Sequence, residues 1–204
     1  MEAAEMLRRL RRDDWWGGPG EIVVVPLGRR ATIDDMAITK LKTEIVGGQL
    51  VVIGGSGFAA GRAAAHTVGS LLDHEDRHGG GLALSSRVSF VVDLPHRQAL
   101  CPDASWYTGP PWEEGFPHGA PVFAAEVREG PEYGEEAERR MAAKRADYFA
   151  AGTRVVWDVL LREGVVRVYR ADAPEHPTVY RRGEVAEAEP AVPGWRMPVD
   201  ELFG

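Results

Sequence analysis

The stretch from residue 99 to residue 159 decides the fold, because it alternates apolar segments with one charged helix. It begins with ALCPDASWY (99–107), continues after a Pro- and Gly-rich break with PVFAAEVRE (121–129), and goes on through AAKRADYFAAG (142–152) to RVVWDV (154–159). Short apolar runs bounded by turn residues predict strands, and a glycine after a long charged segment marks a helix end. We therefore predict a central strand at 121–128, a helix at 135–151, and a hairpin from 155–161 and 165–169.

Three charged residues of this stretch lie where the pattern predicts a buried position. Asp103 and Glu126 fall on apolar strands, and Lys144 shares one helical stripe with Ala137 and Tyr148. A carboxylate in a core needs a partner or a metal, and a lysine is least expected there. Two acids from neighbouring strands can bind Mg²⁺ through oxygen, with a nearby cation to hold developing charge. This combination favours metal-dependent phosphodiester hydrolysis.

Each of these residues also has a purely structural explanation, which the residues alone leave open. An acid can be satisfied by an ion pair instead of a metal, and a lysine stem can lie across the edge of a core while its charge reaches solvent. The candidate partners are Arg87 and Arg97 for Asp103, and Arg128 and Lys144 for Glu126.

The rest of the chain supplies further helices and hairpins. Two apolar runs flank Gly47-Gly48, which is the composition of a tight hairpin turn, and Glu44 lies on the first of them. The other predicted elements are a strand at 21–26, a helix at 33–42, an alanine-rich helix at 57–78, and a hairpin within 82–107 whose second strand covers 99–107. The tail from residue 171 is predicted to be loop-rich, with one short strand near 178–180.

Composition predicts one ordinary domain. The chain has 204 residues, 44% of them hydrophobic and 27% charged, and contains no apolar run near the ~18 residues of a membrane helix. Its net charge of -7 disfavours a protein that coats nucleic acid non-specifically, although clustered acids that bind divalent cations remain compatible with a nuclease. The single Cys101 and an opening segment without an apolar centre predict a cytoplasmic protein.

The first 31 residues are predicted to form an N-terminal arm, followed by one domain at 32–204. The arm contains a short arginine-rich helix at 1–12, a glycine-rich linker at 13–20, and the first strand. Four tryptophans are expected to be exposed in loops or at edges, and aromatic residues are enriched in interface cores. They are Trp15, Trp16, Trp106 and Trp112. We therefore predict a homodimer.

Six segments carry a resemblance to a known family through their order and spacing. They are TEIVGGQLVV (43–52), CPDASWY (101–107), EVRE (126–129), the K-x-x-x-Y-x-x-x-G of residues 144–152, VVWDV (155–159) and PGWRMPVDELF (193–203). Together they resemble the Uma-type family of restriction-endonuclease-like proteins, within the PD-(D/E)xK nuclease superfamily. The resemblance implies a mixed α/β (α+β) restriction-endonuclease-like core with a central mixed β-sheet flanked by helices. It also implies dependence on Mg²⁺ or Mn²⁺, and DNA as the substrate.

The resemblance also implies roles for particular residues. Asp103 matches the aspartate of the PD motif, Glu126 the second metal carboxylate, and Glu44 an upstream acid that is a third metal-ligand candidate. Arg128 stands where the superfamily has lysine, and an arginine cannot serve as a base although it can stabilise charge. Lys144 is the candidate to replace that lysine from the helix.

Two hypotheses follow. The first is a metal-dependent endonuclease that uses Asp103, Glu126, Arg128 and Lys144 as catalytic residues, with metal bound by Asp103, Glu126 and Glu44. The second is a catalytically silent nuclease-fold protein that acts as a binding or assembly module, which the arginine at position 128 and the acidic composition favour.

Overall fold

A computed structural model describes residues 22–39, 41–111, 114–130 and 132–203 of the protein. Within these ranges the helices are α1 (Ile33–Thr39), α2 (Phe58–His78), α3 (Glu135–Ala150) and a 3₁₀ helix (Val199–Leu202). The strands are β1 (Ile22–Val25), β2 (Thr43–Val46), β3 (Gln49–Ile53), β4 (Leu82–Ser85), β5 (Phe90–Leu94), β6 (Arg97–Leu100), β7 (Ala104–Tyr107), β8 (Phe123–Arg128), β9 (Val155–Leu160), β10 (Val165–Arg170), β11 (Ala173–Arg181), β12 (Val185–Glu187) and β13 (Arg196–Pro198).

A six-stranded mixed sheet, in the order β11-β10-β9-β8-β7-β4, forms the centre of the fold. In this sheet β8 and β9 form the one parallel pair, in which Glu126 lies opposite Asp158. Helix α3 connects these two strands. Parallel neighbours need such a crossover helix. All six residues of β8 are buried, which explains its nearly continuous apolar sequence. The predicted central strand, helix and following hairpin are therefore confirmed.

A second sheet has five strands in the order β1-β3-β2-β6-β5, all paired antiparallel. The β2–β3 hairpin turns at Gly47 and Gly48, whose φ angles are 60° and 76°. Glycine adopts such left-handed angles without the steric penalty of a Cβ atom, so the predicted hairpin is confirmed. The strand β1, which belongs to the predicted arm, pairs with β3 at the edge of this sheet.

The side chains of β8 alternate between two packed faces of the central sheet. Phe123, Ala125 and Val127 belong to the main core, which includes α2 and the C-terminal segment. On the opposite face, a smaller cluster joins the two sheets and α3. Its buried members are Val92, Leu100, Ala124, Tyr148 and Val156. The acidic residue of β8 lies on this second face, between α3 and the five-stranded sheet.

The predicted strand at 99–107 is wrong in one respect, because the chain leaves one sheet and enters the other within it. β6 ends at Leu100 and β7 begins at Ala104. Pro102 has no N–H to donate to a ladder, so the strand is interrupted there. The Asp103 N–H then donates to the carbonyl of Ala125 at 2.9 Å, which places the start of β7 beside β8.

The tail has more regular structure than the predicted loops. The strand predicted near 178–180 is confirmed, but it is part of the nine-residue β11, and the pair β12–β13 was not predicted. β11 is an edge strand that pairs with β10, and none of its residues is buried. An exposed edge strand carries no apolar alternation along its length, so the sequence pattern indicates only a short part of it.

Trp106 was expected to be exposed, and this expectation is wrong, since its side chain is 1% exposed. The interior strand β7 directs it into the main core beside α2. Trp15, Trp16 and Trp112 lie outside the described residues, as do the predicted N-terminal helix and linker. Among the described helices, none has both the length and the apolar character needed to cross a membrane.

Candidate active site

A cavity of about 380 Å³ opens between α3 and the β1–β3–β2 part of the five-stranded sheet. β8 and the segment before β7 contribute to its charged end. The charged side chains that line it are Lys42, Glu44, Arg97, Asp103, Glu126, Glu129, Glu132, Arg140 and Lys144. Four residues predicted from the sequence, Glu44, Asp103, Glu126 and Lys144, are therefore brought together at one site.

Lys144 connects two of the three acids. Its Nζ lies 2.9 Å from Oε1 of Glu44 on β2 and 2.8 Å from Oε1 of Glu126 on β8. Both carboxylates are buried. One ammonium group thus neutralises part of the charge of two acids that come from different sheets.

Asp103 is held by a residue that the sequence pattern did not single out. Lys42 Nζ lies 2.5 Å from Oδ1 of Asp103, and the backbone N–H of Val127 donates to Oδ2 at 2.8 Å. The sequence placed Lys42 at the end of the predicted helix 33–42, but α1 ends at Thr39 and Lys42 lies in the bend directly before β2. The antiparallel pairing of β2 with β6 brings it to Asp103, which follows β6 after Pro102.

Arg97 is a second residue of this site that was not predicted from the sequence. It donates to Glu44 Oε2 at 2.6 Å and to Asp147 Oδ2 at 2.5 Å. The alternative in which Arg97 pairs with Asp103 is therefore not what the structure shows. The N–H of Cys101 donates to Glu44 Oε1 at 3.1 Å, so this acid is fixed from two sides.

Tyr148 was interpreted as a core residue, and its side chain is fully buried. It also has a polar function, since its hydroxyl donates to Oε1 of Glu126 at 2.6 Å. Residues four apart on a helix face the same way, so Lys144 and Tyr148 reach the same carboxylate from α3. The K-x-x-x-Y spacing thus places one cation and one hydroxyl on Glu126.

Burial and neighbouring charges move the pKa values of these groups in different directions. Burial raises the pKa of Glu126, and nearby Lys144 offsets this only in part. For Glu44, burial also acts upward, but Lys144 and Arg97 outweigh it and the pKa lies below its usual value. Burial alone would lower the pKa of Lys42 and Lys144, yet the acids beside them raise both. Both lysines are therefore ammonium ions at neutral pH.

Two further acids line the cavity near the start of α2. Glu129 accepts hydrogen bonds from the N–H of Gly57 at 2.9 and 2.7 Å, where the N-terminal end of the helix favours negative charge. Glu132 accepts from the N–H of Glu129 at 2.9 Å. Burial raises the pKa of Glu132 to about 7.

The structure does not bring Arg128 to this cavity. Its Nε donates to Asp158 Oδ1 at 2.6 Å, and one terminal nitrogen lies 2.7 Å from Oε2 of Glu138. Arg145 contacts the same two acids at 2.9 and 2.8 Å. Arg128 is almost fully buried among these partners, so it is fixed by a separate cluster of charges.

The acidic side chains at the cavity are of the chemical type that binds a divalent cation. Glu44, Asp103 and Glu126 offer only oxygen atoms, which Mg²⁺ and Mn²⁺ prefer. Among the described residues, however, no group of three or more His, Cys, Asp or Glu is placed ready to hold a metal ion. The acids instead share Lys42 and Lys144, so a bound cation would displace one of these ammonium groups.

Comparison with known proteins places the chain in a family. The model of the Uma2 family, described as "Putative restriction endonuclease", matches residues 32–200. A solved structure from Anabaena variabilis, described as "a putative nuclease belonging to DUF820", shares the fold with a TM-score of 0.66 at 15% identity. That match covers 85% of this chain and 97% of the other. No curated protein matches the chain. The family model spans most of the chain, and the protein therefore belongs to the Uma2 family.

Proposed function

We propose that the protein is a metal-dependent nuclease that hydrolyses phosphodiester bonds of DNA at the cavity between α3 and the five-stranded sheet. The observation that carries this proposal is the meeting of Glu44, Asp103, Glu126 and Lys144 on that cavity. They come from four separate segments of the chain. Membership of a family described as "Putative restriction endonuclease" supports the choice of a phosphodiester substrate.

Asp103 and Glu126 would hold the metal, and Glu44 is the third candidate ligand. A bound Mg²⁺ or Mn²⁺ supplies a Lewis acid and a water of lowered pKa. The N–H of Val127 fixes one oxygen of Asp103, and the hydroxyl of Tyr148 fixes one oxygen of Glu126. These two bonds keep the carboxylates oriented toward the cavity.

In this proposal Lys144 is the catalytic cation, and Arg128 takes no part in the reaction. Because nearby acids raise the pKa of Lys144, it stays protonated and cannot act as a base near neutral pH. Its ammonium can instead stabilise negative charge that develops on the phosphate. Glu132, whose pKa burial raises to about 7, lines the same cavity and is suited to exchange a proton near neutral pH.

A cleavage assay with Mg²⁺ or Mn²⁺ on single- and double-stranded DNA tests the proposal. Asp103→Asn keeps the shape of the side chain but removes a metal-binding charge, so we expect cleavage to fall by a factor on the order of 10³. The matched control is Asp73→Asn, which changes an exposed aspartate on α2. Calorimetry should show that Asp103→Asn binds divalent metal more weakly than the wild type, whereas Asp73→Asn binds it as the wild type does. Equal cleavage and equal metal binding in the two variants would refute the assignment.

The second candidate is a catalytically silent protein that uses the nuclease fold to bind or assemble. The observation that favours it is Arg128, which replaces the expected lysine and is fully engaged away from the cavity. Under this alternative, the wild type shows neither metal binding in calorimetry nor cleavage of any nucleic acid. Metal-dependent cleavage that Asp103→Asn abolishes would exclude it.

The proposed homodimer and cytoplasmic location stay predictions. The burial of Trp106 removes one of the four tryptophans on which the dimer prediction depended. Sedimentation of the full chain at micromolar concentration tests it, and a monomer alone would contradict it.

A further inference from the structure

The cavity has two apolar walls, and each wall leads to a charged residue of the proposed active site. On the sheet side, Val51 of β3 lies opposite Val24 of β1 and opposite Glu44 of β2. Directly opposed residues of antiparallel strands share one face, so the apolar surface adjoins the acid without a gap. On the helix side, Ala137 and Met141 form a stripe that continues to Lys144.

Part of this apolar surface is open to solvent. Ile22 is 48% exposed and Val24 is 46% exposed, although both line the cavity. Polar side chains stand at its rim, where they can hydrogen-bond to the edge of a ligand. They are Gln49, Ser56 and Arg140. The site therefore combines a charged end with an apolar slot and a few polar groups, as small-ligand sites do.

Size and charge exclude duplex DNA from the interior of this cavity. A volume of about 380 Å³ is near the lower end of the roughly 300–1,000 Å³ range of small-ligand pockets. Acidic side chains outnumber basic ones along its lining by five to four, whereas duplex binding needs a surplus of Lys and Arg along the phosphates. The acids of the site are also buried, so a phosphate must enter the cavity to reach them.

We infer that the cavity takes one unpaired nucleotide of single-stranded DNA, with its base between the apolar walls and its phosphate at the Lys144 end. This inference rests on the proposed function, since it names the form of the substrate for that same site. The flat apolar faces of a base match the walls, and its polar edge meets the rim. Only an unstacked nucleotide offers these faces, because both are covered by neighbours in a duplex.

Binding without catalysis tests the inference directly. A short single-stranded DNA that carries the fluorescent base 2-aminopurine is titrated with the full chain in the presence of a chelator, which prevents metal-dependent cleavage. The same titration is repeated with this strand annealed to its complement as a duplex. The key variant is Val24→Glu, which places a charge on a wall position that already tolerates solvent. The matched control is Val179→Glu, since Val179 is 40% exposed on the edge strand β11 of the other sheet.

We expect the single strand to bind about tenfold more tightly than the duplex, and Val24→Glu to weaken its binding by about tenfold, which is the scale of removing one base–side-chain contact. Val179→Glu should bind like the wild type, and both variants should melt like it. Equal binding of single strand and duplex, or equal loss in the two variants, would overturn the inference. If the protein binds the single strand but shows no metal-dependent cleavage, the proposed nuclease activity is refuted, whereas the inference that the cavity binds a nucleotide is not. If it cleaves without a preference for single strands, the nucleotide inference is refuted, whereas the proposed nuclease activity is not.

Discussion

Two clusters of charged side chains lie on the same face of the central sheet, and they differ in the cations that hold their acids. The cavity cluster consists of Lys42, Glu44, Asp103, Glu126 and Lys144, and it lines the cavity beside α3. The arginine cluster consists of Arg128, Glu138, Arg145 and Asp158; in it Asp158 is 0% exposed, whereas the Glu138 side chain is 40% exposed. Glu126 and Arg128 are two residues apart on β8, so one strand supplies both clusters.

The difference shows why sequence position alone does not identify a reactive charge. In the arginine cluster, two guanidinium groups hold Asp158 and Glu138 through several directed hydrogen bonds, which fixes their geometry. In the cavity cluster, two ammonium groups act as point charges on flexible stems, and they can move when a cation or a phosphate enters. The first arrangement is suited to stability and the second to binding and chemistry.

The largest expected effect on stability comes from breaking the arginine cluster. Asp158→Asn removes the buried one of the two carboxylates that Arg128 and Arg145 share, so the free energy of unfolding should fall by about 3–5 kcal/mol. Urea denaturation measures this loss. The matched control is Glu136→Gln, which breaks an exposed ion pair with Arg139 and should change stability by less than about 0.5 kcal/mol. Equal losses in both variants would show that the arginine cluster has no special structural role.

An intermediate effect should depend on pH. The pKa of Glu132 is about 7 in the folded protein, above the 4.5 of an ordinary glutamate. Between these values the folded state keeps a proton that the unfolded state has released, so this residue makes stability fall as pH rises from about 4.5 to 7. The substitution Glu132→Gln removes this loss of stability with rising pH. We therefore expect the variant to be more stable than the wild type by on the order of 2 kcal/mol near pH 8.

Denaturation curves at about pH 4 and about pH 8 check this prediction. Near pH 4 the two proteins should differ little, because Glu132 is then protonated in both states. Glu175→Gln, at an exposed position of β11, serves as the control. If Glu132→Gln and wild type keep the same difference at both pH values, burial does not raise the pKa of Glu132.

A smaller effect concerns the competition between Lys42 and a cation. The Lys42 ammonium lies 2.5 Å from Oδ1 of Asp103 and covers the oxygen that a metal would use. Lys42→Met should therefore tighten binding of Mg²⁺ or Mn²⁺ by about tenfold. Calorimetry of the metal alone measures this change. Weaker binding in Lys42→Met would mean that Lys42 supports the metal site instead of competing for it.

The sequence predicted most of the central sheet because its strands are apolar runs between clear turns. It found only a short part of β11 because an exposed edge strand has no buried face, and it joined β6 to β7 because the chain is apolar on both sides of Pro102. Among the site residues, the acids and Lys144 were predicted because charge is unexpected on apolar elements. Lys42 lies in the bend before β2 and Arg97 at the first residue of β6, next to a turn. Charged residues are ordinary at such positions, so only tertiary structure reveals their contacts.

The most direct measurement compares the metal-dependent cleavage rates of Lys144→Gln and Arg128→Lys, each rate expressed per folded molecule. We predict that Lys144→Gln lowers the cleavage rate by a factor of about 10²–10³, since it removes the cation that we propose faces the substrate. We predict that Arg128→Lys keeps the cleavage rate of the wild type and loses only stability, because the lysine cannot reproduce the bonds to Asp158 and Glu138. Full activity in Lys144→Gln, together with an altered rate in Arg128→Lys, would show instead that position 128 and not position 144 supplies the catalytic cation.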